Sequence, residues 1–187
     1  VVALVRDLNG NHVVQRCLQR LAPEDAAFIH EAVAARALEV ATHRHGCCVL
    51  QRCIDAATAP QRRALVAAVA AHALPLAQDP FGNYVVQYVL ELGLPEASAA
   101  VMEHLRGHYA ELAAQKFSSN VVEKCLKLGG AGLDAEREKV VAELAASPAL
   151  GRLLADPYAN YVVQSALAVA SGPAHEALVE RIRPHLP

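Results

Sequence analysis

The sequence predicts an all-α protein built as a solenoid of stacked helical repeats, and three observations predict it. A short apolar segment recurs five times, Ala-rich stretches of helical periodicity lie between the copies, and no strand signal of comparable length appears. The copies are "GNHVVQRCL" from Gly10, "GCCVLQRCI" from Gly46, "GNYVVQYVL" from Gly82, "SNVVEKCL" from Ser119 and "ANYVVQSAL" from Ala159. Their shared Gln or Glu falls at Gln15, Gln51, Gln87, Glu123 and Gln164, at intervals of 36, 36, 36 and 41 residues. Three equal intervals mark a true repeat.

Between the copies run "PEDAAFIHEAVAARALEVA" from Pro23, "PQRRALVAAVAAHALPLAQ" from Pro60 and "PEASAAVMEHLRGHYAELAAQ" from Pro95. Each opens with Pro, which the first turn of a helix tolerates because the missing N–H would be unpaired there. "DPFG" and "DPYA" supply the turn before the next short segment. Each unit therefore reads as a longer helix, a turn and a shorter helix. Such units cannot bury their apolar faces alone and must stack. The short helices are expected near 10–20, 46–57, 82–92, 118–128 and 159–170, in a single array over 1–187. "GGAG" at Gly129 is a linker that lengthens the fourth unit. The chain begins with Val, and both ends read as cut, because a solenoid normally carries capping units.

Composition agrees. The 187 residues are 54% hydrophobic and 19% charged, which suits a buried core and argues against disorder. Abundant Ala with no Trp favours helix. No signal segment and no membrane-spanning run is read, so an intracellular protein is expected. Five Cys at scattered spacings form no disulfide framework. His43, His45, Cys47, Cys48 and Cys53 crowd into eleven residues, but their spacing matches no familiar zinc pattern. Cys17, Cys53 and Cys125 are expected on the buried face as small hydrophobes. No metal, cofactor or catalytic constellation is expected, and the protein does not read as an enzyme.

The letters within each copy divide into two sets. With the Asn of "NYVVQ" as position i, positions i, i+1 and i+4 lie at about 0°, 100° and 40° around a helix, on one narrow face. Positions i+2, i+3, i+6 and i+7 lie on the other side and are apolar in all five copies. The apolar set is the expected core. The narrow face reads Asn11-His12-Gln15, Cys47-Cys48-Gln51, Asn83-Tyr84-Gln87, Ser119-Asn120-Glu123 and Asn160-Tyr161-Gln164. Amides, flat rings and one carboxylate recur there without a single Lys, unlike an ordinary solvated face. Amides hydrogen-bond base edges and rings stack on base faces, the two things extended single-stranded nucleic acid needs. A net charge of -2 leans instead toward a helical-repeat scaffold for proteins.

These segments resemble the recognition helices of Pumilio/PUF repeats, and the resemblance covers essentially the whole chain. The order of triplets looks like the last five repeats of an eight-repeat Pumilio domain, whose penultimate repeat is also long. The resemblance implies a curved α-solenoid of stacked PUF repeats that binds single-stranded RNA, one base per repeat and antiparallel. Base edges would be read by Asn11, Gln15, Cys47, Gln51, Asn83, Gln87, Ser119, Glu123, Asn160 and Gln164. His12, Cys48, Tyr84, Asn120 and Tyr161 would stack on bases.

The chemistry matches this implication. Asn with Gln suits the acceptor–donor–acceptor edge of uracil, while the Glu123 carboxylate alone accepts both donors of guanine. Gln51 beside small Cys47 suits adenine. The implied core is 5′-UGUAU-3′, running from Asn160/Gln164 back to Asn11/Gln15. Cys48 departs from the Arg more frequent in the family, and a thiol stacks poorly, so a weaker adenine contact is expected. Arg16, Arg52 and Lys124 read either as phosphate contacts or as solvated rim charges. The resemblance also implies a cytoplasmic monomer, without membrane attachment, that represses messages through UGUA-containing 3′ untranslated regions with protein corepressors. A ribosome-biogenesis relative is the further alternative, although such relatives usually carry degenerate triplets.

Overall fold

The computed structural model of the protein describes residues 1–130 and 132–186. Ala131, inside the expected "GGAG" linker, and Pro187 lie outside the described residues. Among these, all regular structure is helical. The chain divides into two compact units, Val1–Leu92 and Gly93–Pro187.

The first unit contains α1 (Val2–Arg6), α2 (Gly10–Arg20), α3 (Ala27–Ala35), α4 (Ala37–Ala41), α5 (Gly46–Ala56), α6 (Ala59–Ala71), α7 (Ala73–Gln78) and α8 (Gly82–Glu91). The second contains α9 (Pro95–Leu105), α10 (Tyr109–Ala113), α11 (Ser118–Lys127), α12 (Asp134–Ala146), α13 (Leu150–Leu153), α14 (Ala159–Val169) and α15 (Gly172–Ile182). The recurrent short segments are α2, α5, α8, α11 and α14. In the first unit α2 packs on α5 and α5 on α8, while α3 packs on α6. In the second, α11 packs on α14 and α12 on α15.

The Ala-rich stretches differ from the expected single helices. Each is a longer helix followed by a separate short one. Pro75 forces the break between α6 and α7, because its ring clashes with the carbonyl four residues back and its nitrogen cannot donate. Gly107, at φ 85°, ends α9 in a left-handed conformation that favours glycine. Arg36, at φ -127° and ψ 33°, separates α3 from α4 without any such local signal. Pro23 does not open a helix either, since α3 starts at Ala27. At α6 the start is better determined: Thr58 and Gln61 form a capping box, with the Thr58 N–H donating to Gln61 Oε1 at 2.9 Å.

The break has a steric use. Each short helix ends its approach against the first residue of the next recurrent helix. A Cβ at Gly46 would sit 2.1 Å from the Val40 carbonyl oxygen, and one at Gly10 or Gly82 would sit 2.9 Å from that of Leu4 or Leu76. In the second unit Ser118 occupies this register, and its hydroxyl donates to the Leu112 carbonyl at 2.7 Å instead of avoiding it.

The apolar stripe is the core, with three exceptions. Val13 is 58% exposed, and Cys17 and Leu167 are half-buried, whereas the other apolar-stripe positions are buried. All three belong to α2 or α14, the first and last recurrent helices of the chain. Cys17 is therefore not the buried thiol that its register predicts. Cys53 and Cys125 are, and burial pushes both thiols up to about 12. No helix among the described residues is long and apolar enough to cross a membrane.

Candidate nucleic-acid interface

The three triplet positions differ in depth. At the first, Asn11, Cys47, Asn83 and Ser119 are buried and Asn160 is half-buried. At the second, His12, Cys48, Tyr84, Asn120 and Tyr161 are all exposed, with Tyr84 at 59% and Tyr161 at 61%. At the third, Gln15, Gln51, Gln87 and Glu123 are half-buried and Gln164 is exposed. One face of each helix thus steps from floor to rim, rather than presenting three equally solvated polar groups.

In α2, α8 and α14 the floor is built on one plan. Asn11 Nδ2 donates to the Asp7 and Leu8 carbonyls at 2.9 and 2.8 Å, Asn83 Nδ2 to the Asp79 carbonyl at 2.8 Å, and Asn160 Nδ2 to the Asp156 carbonyl at 2.7 Å. Each Asn Oδ1 then accepts from the Gln one turn later: Gln15 at 2.9 Å, Gln87 at 3.0 Å and Gln164 at 3.0 Å. The Asn therefore acts first as a strut. It consumes one Gln N–H and leaves that Gln its carbonyl oxygen and second N–H for another partner.

The Asp at i−4 is a site-building residue that the nine-letter repeat missed. Asp7 Oδ1 accepts the Asn9 and Gly10 N–H groups at 2.9 and 2.7 Å, Asp79 Oδ1 those of Phe81 and Gly82 at 2.8 Å each, and Asp156 Oδ1 those of Tyr158 and Ala159 at 2.8 and 2.9 Å. These bonds satisfy N–H groups that a helix start leaves orphaned. They also hold the Asp7 carboxyl below its ordinary value, Gly10 contributing most and Asn9 next. Extending the repeat alignment four residues upstream would have exposed the series, since Asp7, Asp79 and Asp156 share one register with His43 and Gln115. His43 accepts the His45 N–H at Nδ1, 3.3 Å away. Burial, then the charges of Arg6, His45 and Arg44, lowers its pKa and favours the neutral ring that can accept.

The second and fourth copies differ as their letters require. Cys47 Sγ lies 3.6 Å from the Arg44 carbonyl and 3.9 Å from Cys48 Sγ; burial and the Cys48 neighbour push its thiol up to about 11. Neither group is part of a metal cluster: no set of three or more His, Cys, Asp or Glu able to hold an ion occurs among the described residues. Asn120 turns its amide toward the Lys116 and Phe117 carbonyls, at 3.2 and 3.4 Å, and lies against its own helix start. Glu123 Oε1 accepts from Lys127 Nζ at 3.1 Å and from Ser165 Oγ at 2.6 Å.

Adjacent copies close open slots between them. One, of about 300 Å³, is lined by Cys47, Cys48 and Gln51 from α5 and by Tyr84, Gln87 and Tyr88 from α8. Another, of about 320 Å³, lies between Ser119, Asn120 and Glu123 of α11 and Tyr158 and Tyr161 on the α14 side. A third, of about 240 Å³, joins Gln15 to Arg52. A ring at the second triplet position thus borders the slot of the copy before it, so the Cys48 slot has Tyr84 as its aromatic wall. Arg16 and Arg52 are exposed and Lys124 is half-buried.

Known proteins share the repeat and the fold. The family model for the Pumilio-family RNA binding repeat matches residues 1–29, 36–70, 72–106, 108–145 and 153–183. A putative pumilio homolog 7, chloroplastic, of Arabidopsis thaliana is 53% identical over 182 residues, 97% of this chain and 27% of that protein. A Pumilio domain-containing protein of Schizosaccharomyces pombe is 49% identical over 187 residues, 100% of this chain and again 27% of the relative. The chain therefore spans about a quarter of the length of these relatives. Among solved structures, the Puf4 RNA binding domain bound to an HO endonuclease RNA 3′ UTR recognition sequence superposes with a TM-score of 0.85 at 40% identity, covering 98% of this chain and 58% of that one. PUF-8 in complex with PBE-RNA gives 0.81 at 29% identity, covering 98% and 56%. With five repeat matches along its length and this architecture, the chain belongs to the Pumilio family of RNA-binding repeat proteins.

Proposed function

We propose that this chain binds single-stranded RNA in a sequence-specific manner, one base to each of its five triplets, with the core 5′-UGUAU-3′. The observation that carries the reading is the recurring strut: in α2, α8 and α14 the first residue's amide fixes the third, and the second stands beside it exposed. The slots between copies are the right kind of space for stacked bases. Puf4 and PUF-8, similar along nearly all of this chain, were solved with RNA bound.

Base identity follows from the third residue and its neighbour. Gln15, Gln87 and Gln164 each retain an acceptor and a donor for uracil, and Gln51 beside the small Cys47 takes adenine. Glu123 takes guanine, whose pairing edge brings two donors. Arg16, Arg52 and Lys124 supply phosphate contacts. This array directs 3′ untranslated regions to corepressors, as a monomeric unit in the cytoplasm. Two Arabidopsis relatives carry the word chloroplastic in their names, which makes an organelle the competing compartment.

The test is a base swap. Ser119→Asn combined with Glu123→Gln should convert preference at the second base from G to U, measured with UGUAU and UUUAU RNAs. A discrimination of ~1–3 kcal/mol is expected in each direction, as for other paired base contacts. If parent and variant bind both RNAs equally, the triplets do not read bases, and a protein-binding scaffold becomes the better account.

A further inference from the structure

We infer that Ser165 is a positioning residue for the Glu123 carboxylate and sharpens the choice of guanine at the fourth repeat. The inference rests on the guanine reading of Glu123 proposed above. Ser165 lies in α14, one repeat further along, and its hydroxyl donates to Glu123 Oε1 at 2.6 Å. Lys127, one turn after Glu123 in α11, donates to the same oxygen at 3.1 Å.

The register makes this a feature of the array rather than a chance contact. Ser165 stands one residue after the third triplet position, where the other copies carry Arg16, Arg52, Tyr88 and Lys124. In the first unit this position also reaches back to the preceding copy. The Tyr88 hydroxyl donates to the Asp55 carboxylate, and Arg52 lines the slot of Gln15. Ser165 is the only short hydroxyl of the set, and it meets the only carboxylate among the third-position residues.

The chemistry explains why the pairing matters. A carboxylate has about four acceptor sites, and Ser165 and Lys127 occupy two. Both bonds fall on Oε1, so Oε2 stays wholly open to a donor of the guanine edge. An adenine edge places an acceptor there and meets a lone pair. A free Glu side chain rotates broadly about its last bond, so its plane would have to be fixed at the moment of binding. A short hydroxyl–carboxylate bond fixes it beforehand, from a residue that touches no base.

Ser165→Ala and Ser165→Thr in the 187-residue chain test this against UGUAU and UAUAU RNAs. The Ala variant should lose about threefold to tenfold of the parent's preference for G over A, the scale of one immobilised side chain. The Thr variant, which keeps a hydroxyl, should recover it. Discrimination at the first and third bases and the melting temperature should not move. An unchanged G-to-A ratio in the Ala variant overturns the inference while leaving the guanine reading intact. So does an equal loss of affinity for both RNAs with a lowered melting temperature, which would mark a packing role. A parent chain without any preference for G overturns the guanine reading and this inference together.

Discussion

Gln87 donates through Nε2 to Asn83 Oδ1 at 3.0 Å, one helical turn away, while Asn83 itself is anchored to the Asp79 carbonyl at 2.8 Å. The two amides of the triplet are therefore unequal partners. Asn83 is buried and belongs to the scaffold. Gln87 is half-buried and lines a slot, so it is the amide able to meet a ligand.

That inequality separates two substitutions. Asn83→Ala should cost about 1–2 kcal/mol of folding stability, because it removes a buried hydrogen-bonded group and releases Gln87. Gln87→Ala should stay within about 0.5 kcal/mol in stability, as expected for a site away from the core, yet weaken RNA binding. Thermal unfolding and RNA titration of both variants decide the matter. Equal destabilisation by the two would make Gln87 a structural residue.

Tyr84 is 59% exposed and forms the aromatic wall of the slot that holds Gln51. Tyr84→Ala should reduce RNA affinity by ~1–3 kcal/mol, the worth of one stacking platform. The melting temperature should barely change. A large fall would assign the ring to the core instead.

Gly46 meets backbone first: a Cβ there would lie 2.1 Å from the Val40 carbonyl oxygen, with His43 Cβ next at 3.3 Å. Gly46→Ala should destabilise the chain by ~1–3 kcal/mol, the range for forced overpacking. Gly129→Ala is the matched control. Its Cβ would come no closer than 3.4 Å, to the flexible end of Arg137, so the effect should be within about 0.5 kcal/mol. Equal melting temperatures for the two variants would show that α4 and α5 can separate without penalty.

Much was legible in the chain because a repeat multiplies a weak signal. One amphipathic helix says little, but five copies in register separate letters that stay apolar from letters that vary together. Val49, Val85, Val121 and Val162 are buried as their shared register predicts. Val13 is not, although its letter and register are the same. Burial at that position depends on a neighbouring helix, and local pattern is blind to the neighbour. The break at Arg36 was hidden for a similar reason, since nothing in its own side chain requires it, whereas Pro75 and Gly107 announce theirs.

The order of residues alone determined the helical class, the repeat length and the three letters per copy that vary together, because periodicity and backbone chemistry are local properties. Only the tertiary structure decided that Asn11 and Asn83 are buried while Asn160 is half-buried, and that Ser165 meets Glu123 across forty-two positions. Both outcomes depend on helices from successive copies coming together, and chain order does not encode that distance until the apolar stripes have packed.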